Sequence, residues 1–184
     1  MSNKRSQLVE TALALFYRQG IHATGVEQIA RESGVTKKTL YSHFASKEDL
    51  VLAALRLRDE QFRHRMEHAV NAAAPAERAL AYIEFLISWG QEANYCGCAF
   101  INAAAEYALP QDPIHRLAAE HKRLVYEFLL GILQAQEITA AEQAATELFL
   151  IGEGVIVANQ VGGVTGVAAT ARTATQAMLQ RYAG

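Results

Sequence analysis

Proline is scarce in this sequence, three residues in 184, and no run alternates apolar and polar residues at period two. Proline breaks helix interiors, and strict alternation is the mark of a half-buried strand. The scarcity of both argues against a sheet and leaves a text rich in Ala, Leu, Glu and Gln, which are good helix formers. Cysteine is as scarce. Cys96 and Cys98 are too few and too close together for a disulfide framework. There is no glycine-rich phosphate loop, no Ser/His/Asp order and no cluster with metal-ligand spacing. The opening residues, MSNKRSQLVE, contain no apolar signal core. The most apolar window, Leu148 to Val167, is interrupted by Glu153, Asn159, Gln160 and several glycines. It reads as a buried interface helix and not a membrane span, so the expected compartment is the cytoplasm and no membrane partner is expected.

What is present is apolar and unevenly charged. Apolar residues make up 51% of the chain, enough for a core and an interface. The net charge of −2 conceals a basic start: residues 1–47 hold seven Lys/Arg against three acids, leaving ten against sixteen in residues 48–184. A basic head on an acidic body suits phosphate binding by the head.

The stretch TGVEQIARESGVTKKTLYSHFASK, Thr24 to Lys47, organises that head. Thr24 and Glu27 have the spacing of a capping box, and Val26, Ile29 and Ala30 share one helical face. Gly34 suits a left-handed helix exit. Thr36 then caps a second helix carrying Lys37, Lys38, Thr39, Tyr41 and His43 around an inward Leu40 and Phe44. Ser46 with Asp49 opens a third. This is the layout of a helix-turn-helix, whose second helix enters the major groove. Lys37, Lys38 and Thr39 lie at its first turn, in reach of base edges or phosphates, while Tyr41 and His43 suit phosphate oxygens. Lys47 adds charge at a helix N-terminus that already favours anions.

The segment VTKKTLYSHFASKEDL closely resembles the signature of the TetR family of bacterial transcriptional regulators, the likeness beginning near Leu8 and covering about the first third of the chain. The resemblance implies that Thr24, Thr39, Tyr41, His43 and Lys47 hold the DNA backbone. Many family members carry glycine where this chain has Lys38. It also implies an all-α fold: a three-helix DNA-binding head, residues 1–47, and a larger ligand-binding and dimerisation body, residues 48–184, about nine helices in all.

Around that signature the periodicities place the remaining helices. Leu8, Ala12, Leu15 and Phe16 make a first helix that Gly20 ends, with Lys4 and Arg5 ahead of it as a basic arm. A long helix runs from Ser46 to about Ala69. His64 and His68 on it share a face, but Arg63 and Arg65 would repel a metal, and no metal or cofactor is expected. Pro75 opens the next helix. Tyr82, Phe85 and Trp89 crowd that helix, and Phe100 and Tyr107 follow in the region where the resembled family forms its inducer pocket. With Cys98, Glu106, His121 and Phe128 they are the candidate lining for a mostly apolar ligand. For Glu106, pairing with an Arg or a backbone N–H is the alternative; for His121, a satisfied core histidine. Asp112-Pro113 is a strong helix start, and Thr139 with Glu142 has capping-box spacing.

The helix after Thr139 is apolar nearly all round, which calls for more than one packing partner. Residues 139–182 are expected to form dimer helices, in a four-helix bundle like that of the resembled family's dimers, through Leu148, Ile151, Gly152, Val155, Ala158, Gly162, Ala171, Ala174 and Met178; packing wholly inside a monomer is the alternative. The function this implies is a homodimeric, ligand-responsive regulator, most simply a repressor, released from a pseudo-palindromic double-stranded operator by a small-molecule inducer. A thiol-based sensor using Cys98 or Cys96 on the same fold is an alternative. A Cys98/His121 acyl-transfer enzyme is a remote one, so no catalytic residue is assigned. Operator sequence, inducer and the choice between repression and activation are not encoded in any motif.

Overall fold

The computed structural model describes residues 3–183. Among them are nine α-helices and no strand: α1 Asn3–Gln19, α2 Val26–Glu32, α3 Lys37–His43, α4 Lys47–Asn71, α5 Arg78–Gly90, α6 Ala99–Glu106, α7 Pro113–Gln134, α8 Ala141–Val161 and α9 Val167–Tyr182. A 3-10 turn, Pro75–Glu77, leads into α5. Its contacts form two compact units, one running to Gln61 and taking in Ala99–His121, the other built from Phe62–Cys98 and the chain from Lys122 on. Within the first unit Phe16 and Ile21 at the end of α1, Ala54 and Leu55 of α4 and Ala103 of α6 enclose one small cavity of about 20 Å³.

In the first unit the stripe Leu8, Ala12, Leu15 and Phe16 is buried as its spacing predicts. Helix α1 starts at Asn3, so Lys4 and Arg5 belong to its first turn and form no separate arm; Arg5 lies over the Phe44 ring. His121 is the core histidine. It is 3% exposed, its Nδ1 lies 2.7 Å from the Asp59 carboxylate, and its ring stacks on Phe100 at 3.7 Å.

In the second unit α5, α8 and α9 pack pairwise. Gly152 makes the α5–α8 approach feasible, since a Cβ there would lie 2.6 Å from the Tyr82 hydroxyl. Burial pushes that Tyr82 hydroxyl far above its ordinary pKa, with Glu153 and Cys98 adding to the rise. Trp89 meets Phe62 and Tyr95 edge-on at 4.9 and 5.0 Å, and the Tyr95 hydroxyl donates to the Ile156 carbonyl. Ion pairs link α9 to α5 (Arg172–Glu84), α7 to α8 (Lys122–Glu153) and α9 to α8 (Arg181–Glu147).

Helix α8 is long and apolar enough to cross a membrane by length and composition alone, yet it packs on α5 and α9. Its own chain leaves one apolar face of α8 uncovered. Leu150, Gly154, Val157 and Val161, spaced as one helical face, are exposed, and Val164 beyond the helix is exposed too. Of the residues expected at a dimer interface, Leu148, Gly152, Val155, Ala171 and Met178 are buried within the chain. Ile151, Ala158 and Ala174 are half-buried and Gly162 is exposed.

Candidate DNA-binding surface

The α2–α3 segment is built by its caps. Helix α2 is N-capped by Gly25 in extended conformation, with no side-chain cap. The capping box expected of Thr24 and Glu27 does not form, because both side chains are used elsewhere. The Thr24 hydroxyl, fully buried, donates to the Gly20 carbonyl at 2.7 Å, satisfying a group that the end of α1 would leave open. Glu27 pairs with Lys37 across the turn.

Helix α2 ends in a Schellman motif. Val35 N–H donates to the Ala30 carbonyl and Gly34 N–H to the Arg31 carbonyl, with Gly34 left-handed at φ +67°. Buried Ser33 donates its hydroxyl back to the Ile29 carbonyl at 2.6 Å. Thr36 then caps α3, accepting from the Thr39 N–H at 3.1 Å, and its hydroxyl lies 2.9 Å from that of Thr39. Leu40 and Phe44 point inward and are buried, as their spacing predicts.

This anchoring turns the polar side of α3 outward. Lys37, Lys38 and Tyr41 are exposed, and Thr39 and His43 are half-buried. An α-helix, about 10–12 Å across with its side chains, matches a major groove about 12 Å wide. The two lysines at its start differ. Lys37 is held by Glu27, which raises the lysine's pKa and lowers the glutamate's. Lys38 stands beside it on the exposed face. Ser46 accepts from the Asp49 N–H at the start of α4, and Lys47 donates to the Ile21 carbonyl at 2.7 Å. One of the Lys47 donors is therefore committed inside the protein, and an ammonium has three.

Two of the expected pocket residues, Glu106 and Tyr107, meet the turn between α1 and α2. Glu106, at the end of α6, accepts from the Ile21 N–H at 2.7 Å and the His22 N–H at 2.6 Å, and meets the His22 ring at 2.8 Å. Tyr107 stacks on that ring at 4.9 Å. The space beside Glu106 is the 20 Å³ cavity, room for about one water. Glu106 is thus a partner of backbone N–H groups, the alternative its sequence position allowed. Among the other candidates, Tyr82, Trp89, Cys98 and Phe100 are buried and Phe85 and Phe128 half-buried. Cys96 and Cys98 are not joined by a disulfide.

Residues 8–54 match the model of the bacterial regulatory proteins of the tetR family. The fold is similar throughout to the crystal structure of a TetR-family transcriptional regulator from Streptomyces coelicolor, with a TM-score of 0.91 and 30% identity over 100% of this chain and 98% of the other. The HTH-type transcriptional regulator YjdC of Escherichia coli is 29% identical over 82% of this chain and 80% of its own length. LmrA of Bacillus subtilis, also an HTH-type transcriptional regulator, is 29% identical over 84% and 85%. With a helix-turn-helix locked by its caps at one end and this likeness along its whole length, the chain belongs to the TetR family of bacterial transcriptional regulators, which are not enzymes.

Proposed function

We propose that the protein is a homodimeric repressor that binds a pseudo-palindromic operator in the bacterial cytoplasm and is released by a small, mostly apolar molecule. The observation that carries the DNA-binding part is α3 itself: a short helix, capped at both ends, presenting Lys37, Lys38 and Tyr41 to solvent while Leu40 and Phe44 anchor it. Two copies of α3 enter successive major grooves about 34 Å apart. Thr39, His43 and Lys47 contact phosphate; Thr36 shapes the turn, and Thr24 braces it from inside. Lys38, exposed at the first turn, is the side chain best placed for a base edge or an additional phosphate. The aromatic residues Tyr82, Phe85, Trp89 and Phe128, with Cys98, are proposed to line the inducer site.

Dimerisation uses the exposed α8 face, Leu150, Gly154, Val157 and Val161, rather than the face the apolar pattern alone suggests. Gly154 has no neighbouring atom where a Cβ would stand, so a partner helix can approach closely.

The test is selection of an operator from random DNA, followed by affinity measurements over a range of salt. Tyr41→Phe weakens binding to operator and to unrelated DNA alike, while Lys38→Ala weakens binding and lowers the salt slope by about 1. Failure to enrich any sequence, or unchanged affinity and slope in both variants, refutes the assignment of α3. A melting-temperature screen against apolar metabolites tests the inducer part separately.

A further inference from the structure

The α1–α2 turn is gripped from two sides by residues far away in sequence. From one side the Glu106 carboxylate takes the successive N–H groups of Ile21 and His22, one on each oxygen, and the second oxygen also meets the His22 ring. From the other side Lys47, at the start of α4, donates to the carbonyl of the same Ile21. Thr24, at the exit of the turn, is tied back to Gly20. Gly20 is required here: its φ is +89°, and a Cβ would approach the Glu106 carboxylate to 3.2 Å. A carboxylate that accepts two backbone N–H groups on separate oxygens has its orientation determined, because both bonds are charge-assisted and neither can rotate without losing the other. His22 and Tyr107 stack over the same junction, and the Tyr107 carbonyl is bonded to the His115 ring at 2.8 Å.

The turn so held leads directly into α2, and α2 fixes α3 through the Schellman motif. We propose that Glu106 is a positioning residue for operator binding, coupling the C-terminal end of α6 to the pose of the helix-turn-helix through Ile21 and His22. This rests on the DNA-binding reading above. It gives α6 influence over DNA affinity without any contact with DNA, and by reciprocity operator binding must stiffen α6.

The experiment uses the full chain and an operator fragment selected from random DNA. Glu106→Gln is the main variant, since it keeps the shape but replaces one acceptor oxygen with a donor facing a backbone N–H. Glu106→Ala removes both acceptors, and circular dichroism establishes that each variant is folded. In the wild type, operator slows amide hydrogen exchange in residues 99–107. In the variants that slowing is lost and operator affinity falls roughly fivefold or more, while affinity for unrelated DNA is unchanged. Folded variants that bind operator within about twofold of wild type would overturn the proposal, as would a wild type whose α6 exchange ignores operator. A wild type that selects no operator instead brings down the DNA-binding reading on which the proposal stands.

Discussion

At the scale of the residue, Glu106 shows how far surroundings can redirect a side chain. Burial pushes its pKa upward, but the N–H groups of His22 and Ile21 and the His22 ring outweigh this and hold it below the ordinary 4.5. A carboxyl depressed in the folded state adds stability above its unfolded pKa and loses it as pH falls through the lower folded value. The melting-temperature advantage of wild type over Glu106→Gln is therefore complete at neutral pH and shrinks as pH drops below about 4.5. Comparing the pair isolates Glu106 from Glu84, whose carboxyl the Arg172 hydrogen bond also lowers. A gap that stays constant with pH would mean that the charge on Glu106 contributes nothing. Its sequence neighbours are apolar, and those neighbours made a ligand contact a reasonable expectation. Nothing local announces that two amides 84 and 85 residues earlier are its partners.

At the scale of the element, caps decide where helices begin, and five cap patterns had different outcomes. Thr36, Ser46 and Asp112 bond the N–H groups their spacing predicts. Thr24 and Thr139 have equally good capping-box spacing and do not cap. The Thr24 hydroxyl goes to Gly20, and Thr139 bonds the Tyr182 carbonyl through both its N–H and its hydroxyl. The pattern names a hydroxyl with the right reach, and tertiary packing offers it a second acceptor. Gly34 is a purer case. Nothing lies within 4 Å of where its Cβ would be, so substitution there costs only backbone strain. Gly34→Ala should destabilise the protein by about 1–2 kcal/mol, lowering its melting temperature by several degrees, with Gly34→Asn affected less. Equal melting temperatures for Gly34→Ala and wild type would rule out the strained turn.

At the scale of the whole molecule, the apolar character of α8 has two sources. Leu148, Gly152 and Val155 meet the inside of their own chain, whereas Leu150, Val157 and Val161 meet solvent in the monomer. In the proposed dimer these exposed apolar residues on one helical face, beside a glycine, are the surface that the second chain covers. Leu150→Asp combined with Val157→Asp should therefore convert the dimer to a monomer in sedimentation analysis. It should leave helix content intact and weaken operator binding far more than half-site binding. A double variant that still sediments as a dimer would place the interface elsewhere.

The sequence by itself determined the helical class, the extents of the helices to within a few residues and the helix-turn-helix with its outward Lys37, Lys38 and Tyr41. All of these follow from local propensity, helical periodicity and short-range capping. It also carried the family likeness, because the signature residues are contiguous. Tertiary structure alone decided which face of α8 is inside, that Thr24 and Thr139 are braces and not caps, and that Glu106 serves the α1–α2 turn. A helix that is apolar on every side carries no periodic signal to orient it. Likewise, a hydroxyl or carboxylate with several acceptable partners takes the one that folding brings within bonding distance.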